Sequence, residues 1–391
     1  MDSDQYEYLR NNKRFLYSVI LWPYQNMLEK IVIGILVVPL LFTQMSLQGG
    51  ALAAAILFGN VDVFMENFSP FVISWMCLAK FMNFMYNRKK MRDLLNMMQT
   101  DWKVHKKFAT EYDILCRHYG VAKRITFNYA VSLYGSMLPF MAVPSVLNVA
   151  DALGIYNLSD ERPLVFRVDN YVDVDKYYYF LLIHSYFGTM LYIMVVVAVD
   201  SMIVAYIQHE CGLCEILGQR LKSIVEDDSR DVELHPDKRE DRPYQNVRDC
   251  VIMHKHIIEL VLILILEEAN TTSYFFQLGL NMIGVSFTQY QVDNPSMSLR
   301  FGGFTICLLS ILFLVSLPGQ QLLDHSERIT EYATSGSWYC TSINARRLLN
   351  LILLQSVKPL QLTALKIYTL NIENFSSVSI DVRFCKEMFS F

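Results

Sequence analysis

Charge is missing from six long windows of this 391-residue chain: 31–61, 67–79, 125–150, 177–199, 269–292 and 301–323. A membrane-spanning helix needs roughly 20 mostly apolar residues, so these windows exclude a chain that keeps its charge evenly spread over a soluble surface. A seventh, weaker apolar stretch begins near Leu362. Lys and Arg are also nearly absent from every second connection. The segments 1–30, 87–124, 206–258 and 322–360 hold 4, 10, 8 and 4 of them, 26 in all, whereas 49–62, 148–176 and 290–300 hold 0, 3 and 1, or 4. Positive residues stay in the cytosol. Leaving out the long 206–258 segment still gives 18 against 4. This asymmetry predicts a cytosolic N-terminus and seven crossings, which argues against a G-protein-coupled receptor. The Asp-Arg-Tyr and Asn-Pro-x-x-Tyr marks of that class are missing too.

Further absences narrow the function. No phosphate-binding glycine loop, zinc-protease motif or Ser/His/Asp arrangement occurs, so no catalytic residue is assigned and no enzyme is expected. No cofactor and no nucleic-acid partner are expected either. Residues 1–30 carry charges throughout and have no apolar core before Ile31, so no cleaved signal is expected and the first span acts as the insertion signal. None of the cysteines at 77, 116, 211, 214, 250, 307, 340 and 385 falls in a predicted outer loop, and cytosolic thiols stay reduced; a disulfide framework is not expected. His209, Cys211 and Cys214 have one metal-ligand spacing without a second pair at a fitting distance, so no metal is assigned there.

What is present fits an all-α membrane protein, read as one domain over 1–391. Its spans are predicted near 31–48, 66–86, 125–148, 176–206, 271–291, 301–322 and 362–380, with cytosolic helical segments at 206–258 and 323–360. Hydrophobic residues make up 53% of the chain and charged ones 18%. Trp22-Pro23-Tyr24 suits the headgroup belt. Residues 91–124 read as an amphipathic helix that carries the second span into the cytosol, and 226–243 as a flexible loop. Pro139 and Pro144 predict a kink in the third span. The outer loop 148–176 collects Asp151, Asp160, Glu161, Asp169, Asp173 and Asp175 and reads as solvated or as a cation-attracting mouth.

A binding site for a small volatile or lipid-like molecule should be mostly apolar with a few polar groups. Tyr178, Leu182, Ser185, Thr189 and Tyr192 follow helical spacing on one face of the fourth span, a stripe that serves either a pocket or plain packing. Phe71, Trp75, Met137, Met141 and Phe304 lie at similar depth. His184 is a ring inside a span, where an ionisable group is costly; it reads as a ligand contact or as an inter-helix hydrogen bond. Lys80 and Asp200 sit near the inner ends of their spans and either pair or snorkel. Asn157-Leu158-Ser159 is the one sequon placed to accept a glycan.

Several motifs resemble insect odorant receptors: His209-Glu210-Cys211-Gly212-Leu213-Cys214, His254-Lys255-His256, Trp338-Tyr339 followed by Arg346-Arg347-Leu348-Leu349, and Pro359-Leu360-Gln361-Leu362-Thr363-Ala364 followed by Lys366-Ile367-Tyr368 and Glu373-Asn374-Phe375. Each is loose, but their order is specific and the flavour is hymenopteran. The resemblance implies an odorant-gated cation channel subunit that forms a hetero-oligomer, a tetramer, with a shared odorant co-receptor in the plasma membrane of olfactory sensory neurons. It implies odorant binding in the outer half, cytosolic subunit contacts, and a pore lined by the last helix, with Lys366, Phe375 and Val378. The short 226–243 loop fits a ligand-specific tuning subunit and not the co-receptor. A gustatory-type receptor of the same superfamily is the alternative, although its Thr-Tyr and Gln-Phe signature is missing; a transporter ranks below. Two features depart from the family: Leu365 stands where a glycine is usual, and Asp381, Arg383, Lys386 and Glu387 interrupt the expected apolar tail. That tail is expected to come from an alternative 3′ end or an error in the gene structure, and to leave conduction poor.

Overall fold

The computed structural model describes residues 9–155, 164–168, 172–225, 234–265, 295–364 and 368–377. These are almost wholly helical: α1 (Arg10–Ser18), α2 (Met27–Phe58), α3 (Val61–Tyr86), α4 (Arg88–His105), α5 (Ala109–Ala152), α6 (Val174–Lys222), α7 (Arg242–Ile265), α8 (Pro295–Ser335) and α9 (Ile343–Ser356). Among the described residues five helices are long and apolar enough to cross a membrane. The expected span at 271–291 lies outside the described residues.

α6 is the axis of the molecule. It has 49 residues, about 74 Å at 1.5 Å per residue, and 78% of its most apolar stretch is buried, against 22% for α2. α5 and α8 pack along it and against each other. A hydrocarbon core is about 30 Å thick, so all three continue far beyond one bilayer face. Lys80 and Asp200 pair at the junction. The ammonium lies 2.7 Å from Asp200 Oδ2, which also accepts from the Tyr129 hydroxyl at 2.7 Å. Both charges are buried, and the third hydrogen bond meets part of what their desolvation costs.

Local chemistry moves several expected boundaries. α2 runs to Phe58 through Gly49-Gly50, which read as a loop. The Phe71 ring packs where a Cβ on Gly49 would come within 3.3 Å of it, so the glycine serves close helix approach. The turn is Gly59-Asn60 alone: Gly59 takes φ +67° and donates back to Ala55 and Ile56, while Asn60 Oδ1 caps α3 by accepting from the Val63 N–H at 3.3 Å. Residues 91–124 do not form one helix. Phe108 is extended (φ −115°, ψ 113°), so α4 ends at His105 and 109–124 extend α5 instead. α5 passes helically through Pro139 and Pro144.

The outer connection is not wholly solvated either. Leu164, Val165, Phe166 and Val168 are buried, and Asn67 Nδ2 holds the Arg167 carbonyl at 2.8 Å. Near the C-terminal end, helix does not begin at Leu362. Thr363-Ala364 pair antiparallel with Tyr368-Thr369, the Leu370 N–H donates to the Leu362 carbonyl at 2.8 Å, and helix resumes over 372–377.

Candidate functional site

Between α3, α5, α6 and α8 lies an internal cavity of about 30 Å³, capped by Phe166 from the inward-folded connection. Its wall is apolar, built around Ile73, Cys77, Leu133, Met137, Ile193 and Ile311. Pro70 removes a backbone donor from α3, and the Ser74 hydroxyl, with one proton to give, lies 3.0 Å from the Pro70 carbonyl and 2.6 Å from Gln48 Oε1. The Gln48 side-chain nitrogen is buried without an acceptor, which is uncommon for a buried amide. Gln48 also borders a smaller void of about 10 Å³ with Gln44 and Ser185; neither polar atom of the Gln44 amide has a partner. A wider groove of about 340 Å³ opens on the outer faces of α5 and α6, between Leu138, Met141, Ser145, Tyr186, Phe187 and Met190.

The structure sorts the residues singled out in the sequence. Met137 and Thr189 line the cavity, with Tyr192 from the same stripe of α6. Ser185 lines the adjoining void and Met141 the open groove. Phe71 packs on Gly49. Tyr178 is buried in an outer cluster with Ala51, Leu164, Val168 and Leu181 and receives a hydrogen bond from Asn148. Trp75 is 51% exposed and points away from the interior. His184 meets Thr43 Oγ1 at 2.9 Å and stacks on Phe180, which makes it an inter-helix contact and not part of the cavity wall. The side chain of Phe304, and Asn157, Lys366 and Val378, fall outside the described residues. Phe375 packs edge-on against Phe313 of α8 at 5.6 Å. Sequence reasoning missed Gln48, Pro70, Ser74 and Phe166; polar residues inside two charge-free windows were the available signal for Gln48 and Ser74.

The far end of the bundle is polar and interlocked. Asp101 accepts from His209 at 3.0 Å and from His256 at 2.9 Å, tying α4 to α6 and α7. Burial pushes the Asp101 carboxyl up, but the two imidazoles more than reverse this and hold it below the usual carboxylate range. The bond to Asp101 raises His256, against partial desolvation. Glu111 is gripped by Arg220 at 2.7 and 2.9 Å and by His105 at 2.8 Å. His209 is thus bonded to Asp101, and Cys211 and Cys214 are buried free thiols.

Comparison with known proteins gives a consistent picture. A family model described as 7tm Odorant receptor matches residues 60–379. The odorant receptor coreceptor of Aedes aegypti is 24% identical over 136 residues, 34% of this chain and 28% of that protein. That of Harpegnathos saltator is 27% identical over 140 residues, with the same coverage. The chain therefore spans little more than a quarter of the length of these curated relatives. The fold is similar to that of the insect olfactory receptor OR5 from Machilis hrabei in complex with eugenol, with a TM-score of 0.78 at 13% identity over 99% of each chain. Without eugenol the TM-score is 0.75, over 98% of this chain and 97% of that one.

Proposed function

This chain belongs to the 7tm odorant receptor family, and on that premise we propose that it is a ligand-specific odorant receptor, one subunit of an odorant-gated, non-selective cation channel. Its partner is an odorant co-receptor in a heteromeric tetramer, and its place is the plasma membrane of olfactory sensory neurons, with the N-terminus in the cytosol. The observation that carries this reading is the apolar cavity between the helices with its unpaired Gln48 nitrogen. An apolar wall with few polar groups suits a small volatile molecule. A buried donor without an acceptor selects a ligand that brings one, so the preferred class is a mostly hydrocarbon molecule carrying one carbonyl, ether or hydroxyl oxygen.

The cavity holds a water or two (about 15 Å³ suffices for one), far below the several hundred cubic ångströms of an ordinary ligand pocket. Ligand therefore enters only as the walls part. Met137 is the wall residue most able to yield, being unbranched, and Phe166 sits on a connection instead of a helix. A molecule that fits only the parted state shifts the population towards it, and this links binding to gating.

The test is co-expression with an insect co-receptor in oocytes, recording current under a panel of oxygenated and plain hydrocarbon volatiles. Ligand-evoked current above that of the co-receptor alone, altered by Met137→Ala and Thr189→Val, is the expected result. Current that is unchanged by both substitutions rejects the cavity. Surface-labelled protein that stays silent to every volatile, with its own tail after Val378 and with a family-like one, counts against the channel reading.

A further inference from the structure

His118 of α5, Glu215 of α6 and His325 of α8 meet on the far side of the bundle from the cavity. One nitrogen of each imidazole and one carboxylate oxygen lie within 4.8 Å of one another. His118 is buried and the other two are half-buried. We propose that these three side chains form a binding site for a divalent transition metal of the zinc class, joining the three longest helices.

Hydrogen bonding around the cluster supports this reading. His325 Nδ1 lies 2.8 Å from the Gln321 carbonyl of its own helix, so that nitrogen carries the proton and Nε2 keeps its lone pair. His118 stands between two oxygens as placed, Gln208 Oε1 at 3.2 Å from Nδ1 and Glu215 Oε2 at 3.0 Å from Nε2. A neutral imidazole has only one N–H, so one of its two nitrogens keeps a lone pair that a metal ion can take. An imidazole whose other nitrogen donates to a carbonyl is the usual posture of a metal-ligating histidine. The His325 ring has it here, and His118 Nδ1 lies 3.2 Å from Gln208 Oε1.

The surroundings orient the ligands further. Arg117 pairs with Glu215 through Oε1, which leaves Oε2 turned inward. Gln208 donates to Gln321, so the two outer acceptors brace each other. The rings of His118 and His325 lie edge to face, 5.2 Å apart.

Ligand chemistry selects the ion. Two imidazoles and one carboxylate suit zinc and disfavour calcium or magnesium, which take oxygen ligands. Zinc binds nitrogen and oxygen at about 2.0–2.2 Å, which places tetrahedral ligand atoms about 3.3 Å apart. His118 and Glu215 are already at 3.0 Å. A small rotation of the half-buried His325 completes the set, and a water takes the fourth position. The positively charged Arg117 and Arg328, which act on Glu215 and His325, weaken the site and make it reversible. Such an ion would cross-link α5, α6 and α8 where they leave the predicted membrane, so its binding and release would change how firmly the three helices are held together.

The experiment is zinc titration of the full-length, metal-stripped chain in detergent, in competition with a chromogenic chelator, supported by the visible absorption of bound Co²⁺. Expected is one site per chain that His325→Ala and Glu215→Gln each weaken at least about 30-fold, and that the exposed His235→Ala leaves intact. The zinc-dependent rise in melting midpoint should vanish in the same two variants. His118→Ala is no clean test, because removing a buried ring also costs folding stability. If the parent chain takes up no zinc, or both variants bind it as tightly as the parent, the three residues form an ion-pair cluster only and the proposal fails. The result does not depend on whether the chain gates a current.

Discussion

The two ends of this helical bundle solve packing in opposite ways. Both ends bury polar atoms without partners, among them Gln44, Gln48 and Ser69 towards the cavity and His209, Glu210 and His254 at the far end, but the cavity end relies on amides and hydroxyls. At the far end, carboxylates are shared between two cationic or imidazole partners, as at Asp101, Glu111 and Glu215. Apolar walls with loose polar groups deform at small cost, because dispersion contacts are non-directional. Interlocked charge networks do not, because losing one member strands the others. The difference separates a region able to open around a ligand from one that holds a fixed shape. Lys80–Asp200–Tyr129 sits at the boundary.

Breaking that boundary should have the largest effect. Lys80→Ala leaves Asp200 buried without its partner and should destabilise by about 3–5 kcal/mol, read as lost monodisperse protein in detergent; a variant melting like the parent would mean that the pair is solvated. Next comes a matched pair of truncations. Leu213→Ala, in the fully buried far-end core, should lower stability by about 2–5 kcal/mol without moving ligand sensitivity. Met137→Ala should do the reverse, shifting the ligand concentration for half-maximal current by about tenfold while the melting midpoint moves less. Equal melting losses would erase the contrast between the two ends.

Smaller is the effect of Gln48→Leu. Removing the unpaired donor should narrow the preference for oxygenated over plain hydrocarbon ligands by roughly tenfold, about the value of one hydrogen bond. The smallest effect is on pH. The raised His256 stabilises the α7 contact fully below its unfolded value, about 6.5, and this is lost as pH rises through the raised folded value. The lowered Asp101 stabilises above about 3.9 and loses this only as pH falls through its lowered folded value. Hydrogen exchange in α7, corrected for intrinsic rates, should therefore quicken from pH 6 to pH 8, and His256→Ala should flatten the change. His256 is partly exposed, so solvent screening keeps the effect small.

Much of the fold was legible because charge segregation survives any local irregularity. What failed was phase and punctuation. Phe71 and Trp75, four residues apart, share a face of α3, but the cavity lies against Pro70, Ile73, Ser74 and Cys77, roughly a third of a turn away at 3.6 residues per turn. Hydropathy cannot assign that rotation when lipid and interior are both apolar. On α6 the hydroxyls of the stripe through Ser185, Thr189 and Tyr192 mark the inner face; His184, one residue off it, faces Thr43 of α2. Gly49-Gly50 read as a break and is helix, whereas Lys106-Lys107-Phe108 carries no glycine or proline and is a break, set by the contacts of His105 and Glu111 across it. The inward packing of 164–168 depends on tertiary partners that local sequence does not show, and the pairing of Thr363-Ala364 with Tyr368-Thr369 has no alternating pattern to announce it.

The two-residue turn at Gly59-Asn60 has a consequence for how the helices beside it can move. α2 and α3 contain 32 and 26 residues, about 48 and 39 Å, and two residues of chain reach only about 7 Å. The two helices are therefore tied end to end at the predicted outer face, and neither can slide along its axis without carrying the other.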